Sequence, residues 1–199
     1  MTDLFDTQEG QTELTPEERK GLKPPSITYR AELNEAEQEN ILDAERWLSG
    51  RKPQPEPMDF ATQDFICEVH KRMYRDVWDW AGTYRTSDRN IGVDYLQIHQ
   101  EMFKFIGDAR YWIGHQTFLP DELAVRFHHR LVLIHPFPNG NGRLSRLLAD
   151  YLVMRLEAPR FTWGKASLVS AGALRRTYIQ ALRKADQCDF TELLAFSRS

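Results

Sequence analysis

The sequence predicts a mostly α-helical fold carrying one small β-hairpin. Two observations predict it. Apolar residues recur at three- and four-residue spacing in one segment after another. Only residues 83–93 mix β-forming with turn-forming types. No internal repeat interrupts this reading.

Residues 1–24 are polar, without apolar periodicity, and are expected to form a mobile tail closed by Pro24 and Pro25. A first helix is expected from Thr28 to Gly50. Leu33, Ala36, Ile41, Ala44 and Leu48 make its apolar stripe, and Gly50 supplies a stop. RKPQPEP, residues 51–57, is a proline-rich connector. The unit 25–57 is thus a helix plus connector, and 58–199 is the main domain.

A second helix is expected over 59–79, where Phe65, Val69, Met73 and Val77 recur every fourth residue. Gly82 breaks that pattern. Asp88, Arg89 and Asn90 can turn a hairpin between Thr83–Thr86 and Ile91–Val93. Ile98 to His115 reads as a helix, with Met102, Phe105 and Ile106 on one side. The next opens near Asp121, carries Leu123, Phe127, Leu131 and Ile134 on one side, and ends at Pro136 and Pro138. After Gly142, Leu144, Leu147, Leu148, Tyr151 and Leu152 follow a helical period. A helix from Gly172 and a short one over FTELLAFSR complete the chain.

The 199 residues suffice for one domain with a proper core. A formal charge of -3 gives no general attraction to nucleic acid or to an anionic membrane. Arg51, Lys52 and the arginines of 155–160 form no continuous basic patch. Cys67 and Cys188 lack metal-ligand spacing and are expected to be free thiols. The polar N-terminus is not a secretory signal, and no apolar run reaches membrane-spanning length. A cytoplasmic protein is expected, without membrane or nucleic-acid partners.

The chemistry concentrates at residues 135–146, HPFPNGNGRLSR. The loop from Pro138 to Gly142 feeds a helix N-terminus, where backbone N–H groups lack partners and the helix dipole is positive. Such an end binds phosphate. Arg143 and Arg146 lie three apart on the first turn and can face the loop, offering two forks of donors to a polyphosphate. His135 can serve as a general base. The same residues also make an ordinary turn, with Arg146 able to pair with Asp150 four residues on. The spacing of a P-loop is absent. His128 and His129 point in different directions on one helix, and His70, His99 and His115 have no ligand spacing. Trp78, Trp80 and Trp112 suit a core. Tyr178 can either reach a nucleotide base or pack in the core.

HPFPNGNGRLSR closely resembles the signature of Fic-family proteins, HPFx[DE]GNGRxxR, at His135, Pro136, Phe137, Gly140, Asn141, Gly142, Arg143 and Arg146. WDWAGTYR resembles the lead into the Fic flap hairpin, and RRTYIQALRKADQCDFTELLAF resembles the C-terminal helices. PPSITYRAELNEAEQENI resembles the subgroup called mobile mystery protein B.

The resemblance implies a Fic-like helical bundle with a β-hairpin flap over the active site. It implies a protein adenylyltransferase that moves AMP from ATP to a Ser, Thr or Tyr hydroxyl of a target protein. By position, His135 would take the hydroxyl proton. Gly140, Asn141 and Gly142 would cradle the phosphates, and Arg143 and Arg146 would hold the outer ones. The flap around Ser87 to Val93 would align the target by strand pairing.

The family's acidic residue, which holds Mg2+, is Asn139 here. An amide oxygen ligates magnesium less strongly than a carboxylate. The resemblance also implies an inhibitory helix of pattern [ST]xxxE[GN]. Glu39-Asn40 match its end, although Glu35 stands where Ser or Thr is usual, and Glu39 would engage Arg146. Removal of AMP, with Glu39 positioning water, is one alternative activity. A catalytically weak nucleotide-binding regulator, tuned down by Asn139, is another. Self-association is a further possibility that the resemblance carries.

Overall fold

The computed structural model describes residues 4–5, 13–165 and 171–199. The rest of the expected N-terminal tail lies outside the described residues. Among the described residues nine α-helices are assigned: α1 Pro16–Lys20, α2 Arg30–Gly50, α3 Pro57–Phe60, α4 Gln63–Tyr74, α5 Ile98–His115, α6 Pro120–Ile134, α7 Asn141–Arg155, α8 Ala171–Ala185 and α9 Thr191–Arg198. A 3-10 turn, Tyr95–Gln97, leads into α5. No described helix is long and apolar enough to cross a membrane.

Helices α6 and α7 pack on each other as the spine, and the HPFPNGNG corner joins them. Leu123, Phe127, Leu131 and Ile134 of α6 and Leu144, Leu147, Leu148 and Leu152 of α7 are all buried. α2 packs on α4, and both close one side of this spine through Leu33, Ile41, Leu48, Ile66, Val69 and Met73. A second apolar cluster ties α8 and α9 to the far side, around Ala149, Val153, Phe161, Trp163, Ala181 and Leu193. Cys67 and Cys188 are free.

Three expectations change. Residues 13–24 are not a tail. Pro16 opens α1, and Thr15 and Glu18 form a reciprocal capping box that holds it. Leu22 then bridges to Trp78, and the Trp80 indole donates to the Glu18 carbonyl at 3.1 Å.

The helix expected over 59–79 is two helices. α3 ends at Phe60, Thr62 caps α4, and α4 stops at Tyr74 rather than Asp79. A capping hydroxyl accepts the backbone N–H of Phe65, which starts a new helix where periodicity alone predicts continuity.

No strand is assigned among the described residues, so the expected pairing of 83–86 with 91–93 is absent. The segment's backbone groups go elsewhere. Arg85 N–H donates to the Pro136 carbonyl at 2.9 Å, and Val93 N–H to the Ile134 carbonyl at 3.3 Å. The segment is laced to the end of α6 instead of to itself.

Candidate active site

His135 caps α6 in the left-handed region, at φ 55 and ψ 57, with its N–H still bonded to Leu131. Pro136 prevents the helix from continuing. This reversal turns the imidazole back along α6, where Nδ1 lies 3.3 Å from the Val132 carbonyl. A carbonyl only accepts, so Nδ1 carries the hydrogen and Nε2 keeps its lone pair. Burial pushes the His135 imidazole down to about 4. The bond to Val132 opposes this, and the Arg85 and Arg89 charges reinforce it. The ring is therefore neutral at pH 7 and ready to accept a proton.

The loop after it is braced by two side chains, Asn141 and His70. Asn141 accepts from Phe137 N–H at 2.9 Å and donates to Phe137 C=O at 2.8 Å. Its side chain closes the loop by these two bonds. His70 of α4 accepts from Gly82 N–H at 2.9 Å, which places the ring hydrogen on Nε2, and that atom donates to the Asn139 carbonyl at 3.0 Å. The same ring stacks on Phe137 at 3.8 Å between centroids. Burial pushes His70 down to about 3, so this brace is neutral.

Gly140 sits at φ 80, and a Cβ there would stand 2.4 Å from the Tyr74 hydroxyl. Both the backbone and the packing require glycine at this position. Gly142 differs: its added Cβ would meet only the Arg146 guanidinium, at 3.7 Å. Packing does not demand a glycine there, because 3.7 Å is an ordinary contact distance. No side chain caps α7. Its first N–H groups therefore lack a side-chain cap, and a helix end of this kind suits an anion.

The two arginines have different partners. Arg146 lies over the Tyr178 ring at 5.4 Å, and the Tyr178 hydroxyl meets His128 Nε2 at 3.0 Å. Tyr178 thus supports Arg146 from beneath. Asp150 does not pair with Arg146; it binds Arg160 at 2.8 Å and the Trp163 indole at 2.6 Å. Arg143 lies over the Tyr74 ring and donates to Glu37 at 2.6 Å. The other Glu37 oxygen accepts the Trp78 indole N–H at 2.8 Å.

The expected pair of Glu39 with Arg146 is therefore replaced by Glu37 with Arg143. Glu39 is exposed, whereas Glu37 is 3% exposed. Helical spacing explains the change: Glu37 falls on the buried stripe between Leu33 and Ile41, and Glu39 lies well off it.

Asn139 turns its side-chain oxygen onto the Gly140 N–H at 2.6 Å. Among the described residues no three His, Cys, Asp or Glu side chains converge as metal ligands. The residues present do not fit a magnesium centre held by the protein itself.

A family model described as Fic/DOC family matches residues 60–153. Those residues form a Fic/DOC domain. Protein adenylyltransferase Fic of Aedes aegypti is 31% identical over 142 residues, covering 69% of this chain and 27% of the relative. The chain thus spans about a quarter of that relative's length. Among solved structures, the N-terminal FIC domain of Bep8 from Bartonella sp. 1-1C is similar at TM-score 0.70 and 16% identity, covering 91% of this chain and 95% of the other. BepC of Bartonella tribocorum, with bound AMPPNP, is similar at TM-score 0.66 and 15% identity, covering 92% and 97%. These likenesses show that the Fic fold extends over most of the chain, beyond the span of the family model.

Sequence reasoning missed Glu37, His70, Tyr74 and Arg85. Glu37 was legible as a charged residue four places from both Leu33 and Ile41. For His70, Tyr74 and Arg85 the signal is tertiary, because each meets the corner from a distant segment.

Proposed function

We propose that this chain is a protein adenylyltransferase that moves AMP from ATP to a Ser, Thr or Tyr hydroxyl of a target protein. One observation carries the reading: the N-terminus of α7, without a side-chain cap and with Arg143 and Arg146 on its first two turns, lies one short loop after a neutral His135. The adenylyltransferase names of the curated relatives and the AMPPNP held by BepC support ATP as the co-substrate.

In this reading the α7 N–H groups and Arg146 hold the phosphates. His135 Nε2 takes the proton of the target hydroxyl, and the oxygen attacks the α-phosphorus. The bond from that phosphorus to the bridging oxygen breaks, and pyrophosphate leaves. No step is assigned to a protein-held magnesium, because Asn139 is neutral and its side-chain oxygen accepts from the Gly140 N–H. The segment 87–93 serves as the flap and aligns the target by strand pairing.

The reading includes autoinhibition. Glu37 holds Arg143 in place of an outer phosphate, and Trp78 fixes Glu37 there. We place the action in the cytoplasm and near the mobile mystery protein B subgroup, on composition and on the resemblance of residues 24–41. Self-association stays part of the proposal.

A second reading, a weak nucleotide-binding regulator, draws on Asn139 and on the Glu37–Arg143 pair. Transfer of label from α-labelled but not γ-labelled ATP, lost in His135→Ala, tests the first reading. ATP binding without transfer, in Glu37→Gln as well as wild type, supports the second.

A further inference from the structure

The Arg85 side chain is fully buried, and its nearest carboxylate, Asp88, is 3.9 Å away and 63% exposed. Backbone carbonyls satisfy the charge instead. Nε donates to His135 C=O at 2.8 Å, Nη1 to Ser87 C=O at 2.8 Å, and Nη2 to Val93 C=O. The Arg85 backbone N–H adds the bond to Pro136, and Val93 N–H the bond to Ile134. Three successive carbonyls at the end of α6, 134 to 136, are thus held by residues 85 and 93. Gly92 closes the contact: a Cβ there would stand 2.6 Å from the His135 Cβ and 3.1 Å from the Ile134 carbonyl.

A buried cation held by carbonyls is a costly way to fill space, since an apolar side chain would do it without desolvation. Its use here needs another reason. His135 sits in the left-handed region, which costs a non-glycine residue energy that its surroundings must offset.

We infer that Arg85 is a positioning residue, which locks the His135 turn and residues 87–93 into one unit so that base and target-facing segment keep a fixed relation. The inference rests on the proposed activity only for its kinetic consequence. A lysine cannot replace the fork, because one ammonium cannot reach three carbonyls from a planar set of donors. The charges facing His135 come from Arg85 and Arg89. Asp88 stands beside Arg85, Glu18 of α1 pairs with Arg89, and α6 offers the Val132 carbonyl.

The test is Arg85→Lys in the full chain, with three readouts: NMR titration of the His135 imidazole, assigned with His135→Gln; calorimetric ATP affinity; and kcat and KM for label transfer. The expected result is a loss of roughly 10²-fold in kcat, an unchanged ATP affinity, and a His135 titration moved from about 4 towards the ordinary 6.5 as water reaches the ring. A folded variant with the wild-type titration and kcat overturns the inference. So does a parallel fall of stability, ATP affinity and kcat, which marks a general structural role.

If Arg85→Lys does not fold, Gly92→Ala displaces the same segment from its exposed side. The same two shifts are expected there, and a wild-type His135 titration again overturns the inference. Absence of transfer in the wild type would sink the proposed activity and leave the His135 titration to decide on Arg85.

Discussion

Glu37 of α2 and Arg143 of α7 form an ion pair at 2.6 Å across 106 positions of sequence. It ties the N-terminal helix to the mouth of the nucleotide loop. The carboxylate is buried and fixed by Trp78, while the guanidinium is 34% exposed. An arginine held in this way is not available to a phosphate.

Glu37→Gln is therefore expected to raise ATP affinity by roughly 10- to 100-fold, the scale of one hydrogen bond to a charged group. The amide keeps the shape and the bond from Trp78 but releases the charge on Arg143. Glu39→Gly should change ATP affinity little, because Glu39 is exposed. Calorimetry with ATP decides: an effect confined to Glu39→Gly would restore the pairing that the sequence pattern suggested.

The reason that pattern misled is geometric. The spacing of [ST]xxxE[GN] selects Glu39, but the helix face is set by Leu33, Ile41, Ala44 and Leu48, and these turn Glu37 inward. The helices themselves were legible, because burying a stripe of leucine and valine writes a period into the sequence. The corner was legible too, since His135, Gly140 and the arginines are close in sequence. His70, Tyr74 and Arg85 were not. Each acts on that corner from 50 or more residues away, as the bonds from His70 to Asn139 and from Arg85 to His135 show at separations of 69 and 50. The missing hairpin has the same origin: Arg85 draws the carbonyls of Ser87 and Val93 to itself, and no local propensity records that.

His135 sets the acid limb of transfer. Its imidazole loses its proton at about 4 in the folded protein, so it is already a base well below neutrality. In kcat/KM against pH, the fall assigned to this group should lie near 4 and not near the ordinary 6.5. His135→Ala should abolish transfer yet keep ATP binding, because its ring faces α6 and the phosphate donors belong to α7. A fall centred near 6.5 would show that His135 is exposed or is not the base.

Stability should carry the same signature. His70 and His135 titrate at about 3 and about 4 when folded, against 6.5 for a free imidazole. His128 and His129 are shifted in the same direction, chiefly by burial. A lowered folded value means that the unfolded chain takes up the proton first. The stabilisation is complete above about 6.5 and is lost as pH falls through these folded values, at roughly 1.4 kcal/mol per pH unit for each histidine. Denaturant midpoints should decline steadily from neutral pH into acid. A flat profile down to pH near 4 would contradict the burial of these rings.

Asn141 tests the loop's brace. Asn141→Ala strands the N–H and C=O of Phe137, both inside the protein, at roughly 1–3 kcal/mol each. The melting temperature should drop by on the order of 10 °C. ATP affinity should fall as well, because the α7 N-terminus loses its fixed approach. A stable variant with intact ATP binding would mean that Phe137 alone anchors the loop.

Asn139 offers the sharpest test of how the loop meets a metal. Its side-chain oxygen accepts from Gly140 N–H, and a carboxylate can accept the same bond. Asn139→Asp should therefore fold as well as the wild type, with the loop in place. What it adds is a negative charge beside a phosphate cradle. Without magnesium that charge repels the nucleotide, and ATP affinity should fall. With magnesium it supplies the hard anionic ligand that the neutral amide lacks, and transfer should rise by about tenfold or more, the scale of one charge-assisted contact. Label transfer and ATP binding, each measured with magnesium and with a chelator, separate the outcomes. Gain with magnesium and loss without it would show that Asn139 tunes the chain down. Loss under both conditions would show that the loop takes its phosphates without a protein-bound metal, and that the neutral residue suits it.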